Sequence, residues 1–430
     1  MLSILSNSWA LLFGMFLLML GNGMQGTLLG LRGAIEGFSV DEMAYVMSAY
    51  FLGFLGGSRL TPLLIRRVGH VRVFAAMASI ISAVFVLYAL APSVLGWALM
   101  RLVVGFCFSA VYVVAESWLN DSATNETRGQ LLSIYMIVQM VGIVTAQFAI
   151  NLGDPAGYEL FIVISVAVSL SFAPILLSVS PAPVFKASKP MSFRRLYESS
   201  PLGCVGTFFL GAVFSAMFGM SAVYGAEAGL TTRQISIFVA AIYVGGLVFQ
   251  YPVGWLSDRV DRRLLIIGVT AVAALSAAGA MASGGRFEAQ VAAAFMIGGM
   301  ANPLYSLLIA YTNDFLDPED MASAAGGLIF INGVGAVSGP VLIGYAMSAF
   351  GTLAYFGFMG AVMGAITLYA LYRMTQRPSV PVDETIAYAP VAPTASAVVV
   401  ELAQEYAVEQ SEAHDAEQAE AEKAEERQIP

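Results

Sequence analysis

The chain has 430 residues, of which 58% are hydrophobic and only 11% charged, with a mean hydropathy of +0.77. Soluble domains carry roughly 25% charged residues, so this composition excludes an ordinary soluble protein and points to an integral membrane protein. The net charge of -9 says little about a substrate, because residues 401–430 alone hold ten acidic and two basic residues. Two cysteines in separate apolar runs, Cys107 and Cys204, and two histidines, His70 and His414, argue against a disulfide framework and against zinc or haem, so no cofactor or metal is expected. The apolar runs contain neither a Ser-His-Asp arrangement nor paired carboxylates at helical spacing. A phosphate loop and a basic patch are also missing, which argues against an enzyme, an ATP-driven pump and nucleic-acid binding.

Twelve stretches are apolar over the roughly 20 residues that a spanning helix needs. They are 8–31, 40–64, 72–91, 94–118, 129–152 and 158–179, then 203–226, 233–256, 264–283, 288–313, 322–349 and 352–374. The first is too long for a signal-peptide core. Capping-box spelling precedes the second and eighth spans, at Ser39 with Glu42 and at Thr231 with Gln234. The expected organisation is a six-helix bundle over 1–180, a cytoplasmic linker over 181–202, a second six-helix bundle over 203–376 and a tail over 377–430. From Pro378 the chain turns Pro/Ala/Val-rich and then Ala/Glu/Gln-rich, which reads as a disordered, solvated tail.

The halves repeat. A shift of 193 residues lays Tyr50 on Tyr243, Gly53 on Gly246, Gly105 on Gly298, Tyr112 on Tyr305 and Asn120-Asp121 on Asn313-Asp314. Basic residues collect in alternate loops: Arg66, Arg67 and Arg72; Lys186, Lys189, Arg194 and Arg195; Arg259, Arg262 and Arg263; Arg373 and Arg377. The other loops offer Arg32, Arg233 and Arg286, so both termini are expected in the cytoplasm.

Between the eighth and ninth spans stands Gly254-Trp255-Leu256-Ser257-Asp258-Arg259-Val260-Asp261-Arg262-Arg263, three arginines and two aspartates that lipid does not tolerate. This G-x-L-x-D-R-x-x-R-R spelling resembles the signature loop of the major facilitator superfamily of secondary transporters, with Asp261 where a glycine is usual. Arg101-Leu-Val-Val-Gly105 is similar to that superfamily's fourth-helix motif. Residues Arg101 to Gln147, and Leu64 to Gly69 with Arg66 at the usual aspartate, resemble its YcaD-like branch. The resemblance covers roughly 15–375. It implies an all-α fold of twelve transmembrane helices in two pseudo-symmetric six-helix halves, with a substrate site between them.

Several polar residues within spans are candidate cavity lining. Asn22, Gln25 and Arg32 share a stripe of the first span among Gly21, Gly23 and Gly26; hydrogen bonding between close-packed helices is the other reading. Arg101, Gly105, Tyr112 and Glu116 share a stripe of the fourth. Tyr50, Tyr243 and Tyr305 hold related positions in the two halves, and Gln139 and Asn332 lie mid-span. Tyr88 and Tyr355 read instead as interface anchors, and Gly333, Gly335 and Gly339-Pro340 make the eleventh span breakable. The resemblance further implies a cytoplasmic gate in which Glu116 and Arg128 act with Arg66, Arg67, Gly254, Asp258, Arg259, Arg262 and Arg263. A proton-carrying role, or that of a satisfied helix-end acid, stays open for Glu116.

The function expected is secondary active transport of a small solute by alternating access, proton-coupled and with efflux favoured, by a monomer in a bacterial inner membrane. The rival is a non-transporting scaffold or sensor that keeps the fold and acts through the acidic tail.

Overall fold

Ser39 and Thr231 accept the backbone N–H three residues on, and Glu42 and Gln234 return a bond to each cap, so both capping boxes form and fix two helix starts. The computed structural model describes residues 2–90, 92–122, 127–174 and 191–426. Lys186, Lys189, the end of the sixth span and residues 427–430 lie outside the described residues. The first half contains α1 (Leu2–Ile35), α2 (Val40–Val68), α3 (His70–Leu90), α4 (Val94–Ser122), α5 (Arg128–Ala149) and α6 (Glu159–Ser171). The second contains α7 (Pro201–Glu227), α8 (Thr232–Ser257), α9 (Arg262–Ala282), α10 (Phe287–Asn313), α11 (Pro318–Phe350) and α12 (Ala354–Met374). Ten of these are long and apolar enough to cross a membrane. The charges of α2 and the short described length of α6 set those two apart, and with them the all-α membrane fold has twelve helices. No strand occurs among the described residues.

The repeat in the letters corresponds to a repeated contact. A Cβ on Gly53 would lie 1.9 Å from the Leu102 carbonyl oxygen, and one on Gly105 would lie 2.0 Å from that of Tyr50. In the second half, Gly245 meets the Phe295 carbonyl at 2.0 Å and Gly298 that of Ile242 at 2.2 Å. Thus α2 crosses α4, and α8 crosses α10, backbone on backbone. Gly246, the letter-mate of Gly53, abuts the Asn302 side chain instead. Gly105→Val should therefore force two main chains apart at a cost of at least the 1–3 kcal/mol typical of overpacking. The check is folded yield and melting temperature in detergent, against Gly364→Val, whose added Cβ meets nothing within 4 Å.

The end opposite the arginine-rich loops is shut by direct contact between the halves. Ser348 donates to Asp41 at 2.8 Å, Asn151 to Ser236 at 3.0 Å, and the hydroxyls of Tyr45 and Tyr345 meet. Proline does not break the eleventh helix. α11 runs unbroken through Pro340, and Gly335 and Gly339 let it touch the α7 backbone at Phe208 and Ala212. Tyr88 and Tyr355 are buried rather than interfacial, with the Tyr355 hydroxyl 2.6 Å from that of Ser221.

At the basic end the halves are separated by the tail. Contrary to the disordered tail expected from composition, Val382–Glu384 forms a short helical turn, an extended segment follows, and α13 (Ala397–Glu426) closes the chain. Val391, Val399, Val400, Leu402, Ala403 and Ala407 are buried, and α13 lies against α4, α5 and α11. The average over residues 377–430 concealed an apolar run, Val398-Val399-Val400 with Leu402, that can be buried.

Candidate substrate cavity and the segment in its mouth

Seven of the nine residues proposed for the cavity do surround one space between the halves: Asn22, Gln25, Tyr50, Arg101, Tyr112, Gln139 and Tyr243. α1, α2, α4, α5 and α8 each contribute to its wall, and Phe218 on α7 stacks on Tyr243 with ring centroids 5.1 Å apart. Asn22 ties its neighbours loosely, accepting from Gln25 at 3.3 Å and from the Tyr50 hydroxyl at 3.4 Å. The Tyr112 hydroxyl is 3.0 Å from the Met19 sulfur.

Arg101 dominates the electrostatics. Its side chain is buried, its guanidinium carbon lies 4.6 Å from the centre of the Tyr50 ring, and one terminal nitrogen is 3.2 Å from the Met47 sulfur. Its Nε has no hydrogen-bond partner, and no carboxylate pairs with it among the described residues. Gln25 Oε1 and Asn302 Oδ1, both on the same wall, are likewise unpaired. Buried polar groups are ordinarily satisfied, so this cluster of open donors and acceptors has the character of a ligand site.

Two proposed lining residues lie elsewhere. Tyr305 is buried and does not border the space. Asn332 donates to the Thr207 carbonyl at 3.2 Å and borders a second, smaller space that shares Tyr50 and Phe218 with the first. Arg32, near the end of α1, does not border the space and binds Glu36 at 2.6 Å and the carbonyls of 155–157. Two further lining residues, Gln147 and Asn302, escaped the sequence reading. The criterion that picked Asn332, a polar side chain deep in a span, also describes Asn302.

Of the residues read as a gate, only Arg262 and Asp258 pair with each other, at 3.5 Å, and Glu116, Arg128, Asp258 and Arg262 hold the tail. Glu116, fully buried, accepts from the Tyr135 hydroxyl at 2.9 Å and from the backbone N–H of Ser396 at 2.8 Å. Arg128 pairs with Glu405 at 3.1 Å and Glu409 at 2.9 Å. Asp258 accepts the Tyr388 N–H at 2.8 Å, and Asp314 accepts the Ile386 N–H at 3.2 Å. Arg262 joins Asp314, Asp258 and the Ile386 carbonyl. Burial raises the carboxyl pKa of Asp314 and of Asp258 above the usual value, against the opposing pull of Arg262 and of those tail N–H groups. Gly254 is flat against Tyr388, where a Cβ would come within 2.7 Å of the ring. Arg66, Arg67 and Arg259 are exposed; Arg259 lies over the Trp255 ring at 4.3 Å. Arg263 is held by Asp261 at 2.8 Å and the Arg377 carbonyl at 2.7 Å.

A profile of the Major Facilitator Superfamily matches residues 11–232 and 203–402. The chain belongs to the major facilitator superfamily. As a superfamily member it is a transporter-family protein with a multi-pass membrane fold, and its relatives agree. It is 26% identical over 374 residues to the uncharacterized MFS-type transporter YcaD of Escherichia fergusonii, covering 86% of this chain and 97% of the relative. It is 28% identical over 346 residues to YcaD of an Escherichia coli O7:K1 strain, covering 79% and 88%. These relatives support the YcaD-like branch. Among solved structures, a point mutant of the nucleoside transporter NupG superposes with a TM-score of 0.72 at 14% identity, over 85% of this chain and 99% of the other. A second NupG structure gives 0.67 at 15% identity, over 86% and 98%. At that identity the likeness establishes the fold of this superfamily member and nothing about its ligand.

Proposed function

We propose that this superfamily member moves a small solute with an acidic group across a bacterial inner membrane by alternating access, as a monomer with both termini in the cytoplasm. The observation that carries the reading is Arg101: a buried cation without a carboxylate partner, facing a space that also presents Asn22, Gln25 and Gln139, between two halves that close directly on each other at one end. A buried charge is costly unless paired, and a ligand carboxylate or phosphate is the missing partner. A proton gradient is the proposed driving force and export the proposed direction. Glu116, a carboxyl fully buried within α4 with two neutral donors and no cation on it, supports proton coupling.

A thermal-shift screen of the purified protein against carboxylates, phosphates, sugars, amino acids and drugs tests the reading. Nucleosides belong in the screen because NupG is described as a nucleoside transporter. A ligand at 100 times its Kd adds about 2.7 kcal/mol of stability, and acidic solutes are expected to supply the hits. No stabilisation by any solute, in the full chain or after removal of residues 380–430, would favour the scaffold reading, in which the tail rather than the cavity is the working part.

A further inference from the structure

We infer that the tail segment from Ile386 to Ser411 is a built-in peptide ligand of the basic-end vestibule, and that while seated it blocks the transport path; the inference rests on the transporter reading for its consequence, not for its geometry. The vestibule recognises main chain. Asp314 and Arg262 take the N–H and carbonyl of Ile386, and Asp258 takes the N–H of Tyr388. Ser306 both accepts the Val391 N–H at 2.9 Å and donates to the Val391 carbonyl at 3.0 Å, as a neighbouring strand would. Glu116 takes the N–H of Ser396. Each of these receptor groups except Asp258 is buried, and they come from both halves of the protein.

Side chains add fit. The Tyr388 ring lies on Gly254, and its hydroxyl accepts from Gln250 at 2.8 Å. Tyr406 occupies the space left by Gly129, where a Cβ would fall 2.6 Å from its ring. Gln404 reaches Asn313 at 3.2 Å while Glu405 and Glu409 hold Arg128, so α13 is a wedge fixed to both halves. A groove with this chemistry takes an extended, proline-containing peptide.

Two consequences follow for transport. Ala392, Pro393 and Thr394 form part of the cavity wall, and the space left is about 90 Å³. That volume holds about three water molecules, whereas small-molecule sites run to roughly 300–1,000 Å³. The wedge also stops α4 and α5 from approaching α10 and α11, a movement that closure at this end requires. Because the tail is tethered by a short segment, its effective concentration is roughly millimolar, and modest intrinsic affinity keeps it seated.

The test needs no substrate. With Cys107 and Cys204 replaced by alanine, a single cysteine at Gln139→Cys is labelled in membranes by an impermeant maleimide applied to either side in turn. In the full chain labelling is expected to be slow from both sides. Removing residues 380–430 should raise the rate at least tenfold from one side only, and a synthetic peptide spanning 386–411 at millimolar concentration should restore protection while its scrambled version does not. Should the truncated chain fail to fold, the full-length Glu405→Lys, Glu409→Lys variant should give the same one-sided rise, reversed by adding Arg128→Glu. Equal rates in full-length and released proteins would overturn the inference. Solute transport is read separately, in chains that keep Gln139: a truncated chain that moves no solute while its Gln139→Cys counterpart labels quickly leaves the plug standing and counts against the transporter, whereas transport that does not rise on truncation counts against the blockade.

Discussion

Arg101→Met should abolish ligand-induced stabilisation while leaving the unliganded protein at least as stable as the parent. The guanidinium is buried against a sulfur and an aromatic face, with Nε unpaired. Replacing a buried charge that lacks a carboxylate by an apolar chain of similar length removes a desolvation cost and no ion pair. When an acidic ligand is bound the balance reverses. Removing one partner of a buried pair costs about 3–5 kcal/mol, which is two to three orders of magnitude or more in Kd. Melting temperatures with and without ligand decide it. A variant that loses stability on its own, yet keeps the ligand shift, would make Arg101 a structural residue and move the site off α4.

Arg262→Met is expected to do the opposite: a loss of about 3–5 kcal/mol in folding stability with no ligand present. The side chains of Arg262 and Asp314 are 2% and 3% exposed, and Arg262 also donates to the Ser257 hydroxyl at 3.1 Å and to the Ala310 carbonyl at 3.4 Å. Losing the arginine leaves Asp314 buried and uncompensated. The double variant Arg262→Met, Asp314→Leu should regain most of the loss, because an apolar pair of similar volume removes both desolvation costs. Denaturant unfolding in detergent measures both. A single-variant loss no larger than that of an exposed pair such as Arg194–Glu198, which contributes about 0–1 kcal/mol, would show that this bridge is not structural.

How far the letters reach differs from element to element. Spans, caps and the internal repeat are legible because lipid leaves the backbone one solution, a helix, and because crossing helices need glycine where main chains touch. Most of the cavity is legible for a related reason. A polar side chain deep in a span is costly in lipid, so Asn22, Gln25, Arg101 and Gln139 had to turn inward. Tyr305 escapes that logic, since a tyrosine ring is apolar enough to be buried anywhere.

The gate and the tail were not legible, for a shared reason. Glu116, Arg128, Asp258 and Arg262 are recognisable as charges that need partners, but the sequence does not say which, and each has a partner more than a hundred residues away in a segment that averages as polar. Gly254 was read as a motif letter, yet its missing side chain is what seats Tyr388, just as that of Gly129 seats Tyr406. A clue was present in Val398-Val399-Val400-x-Leu402, which a solvated tail would have no use for.

The backbone-on-backbone crossings at Gly53, Gly105, Gly245 and Gly298 also bear on how the molecule can deform. Where main chains touch there is no side-chain layer to shear, so a push on one helix passes to its partner almost undiminished. Each half then behaves as a stiff lever arm. Any change of shape is concentrated at the contacts joining the far ends, such as the hydrogen bonds of Ser348 to the Asp41 carboxylate and of Asn151 to Ser236, which serve as the fulcrum about which the arms can swing.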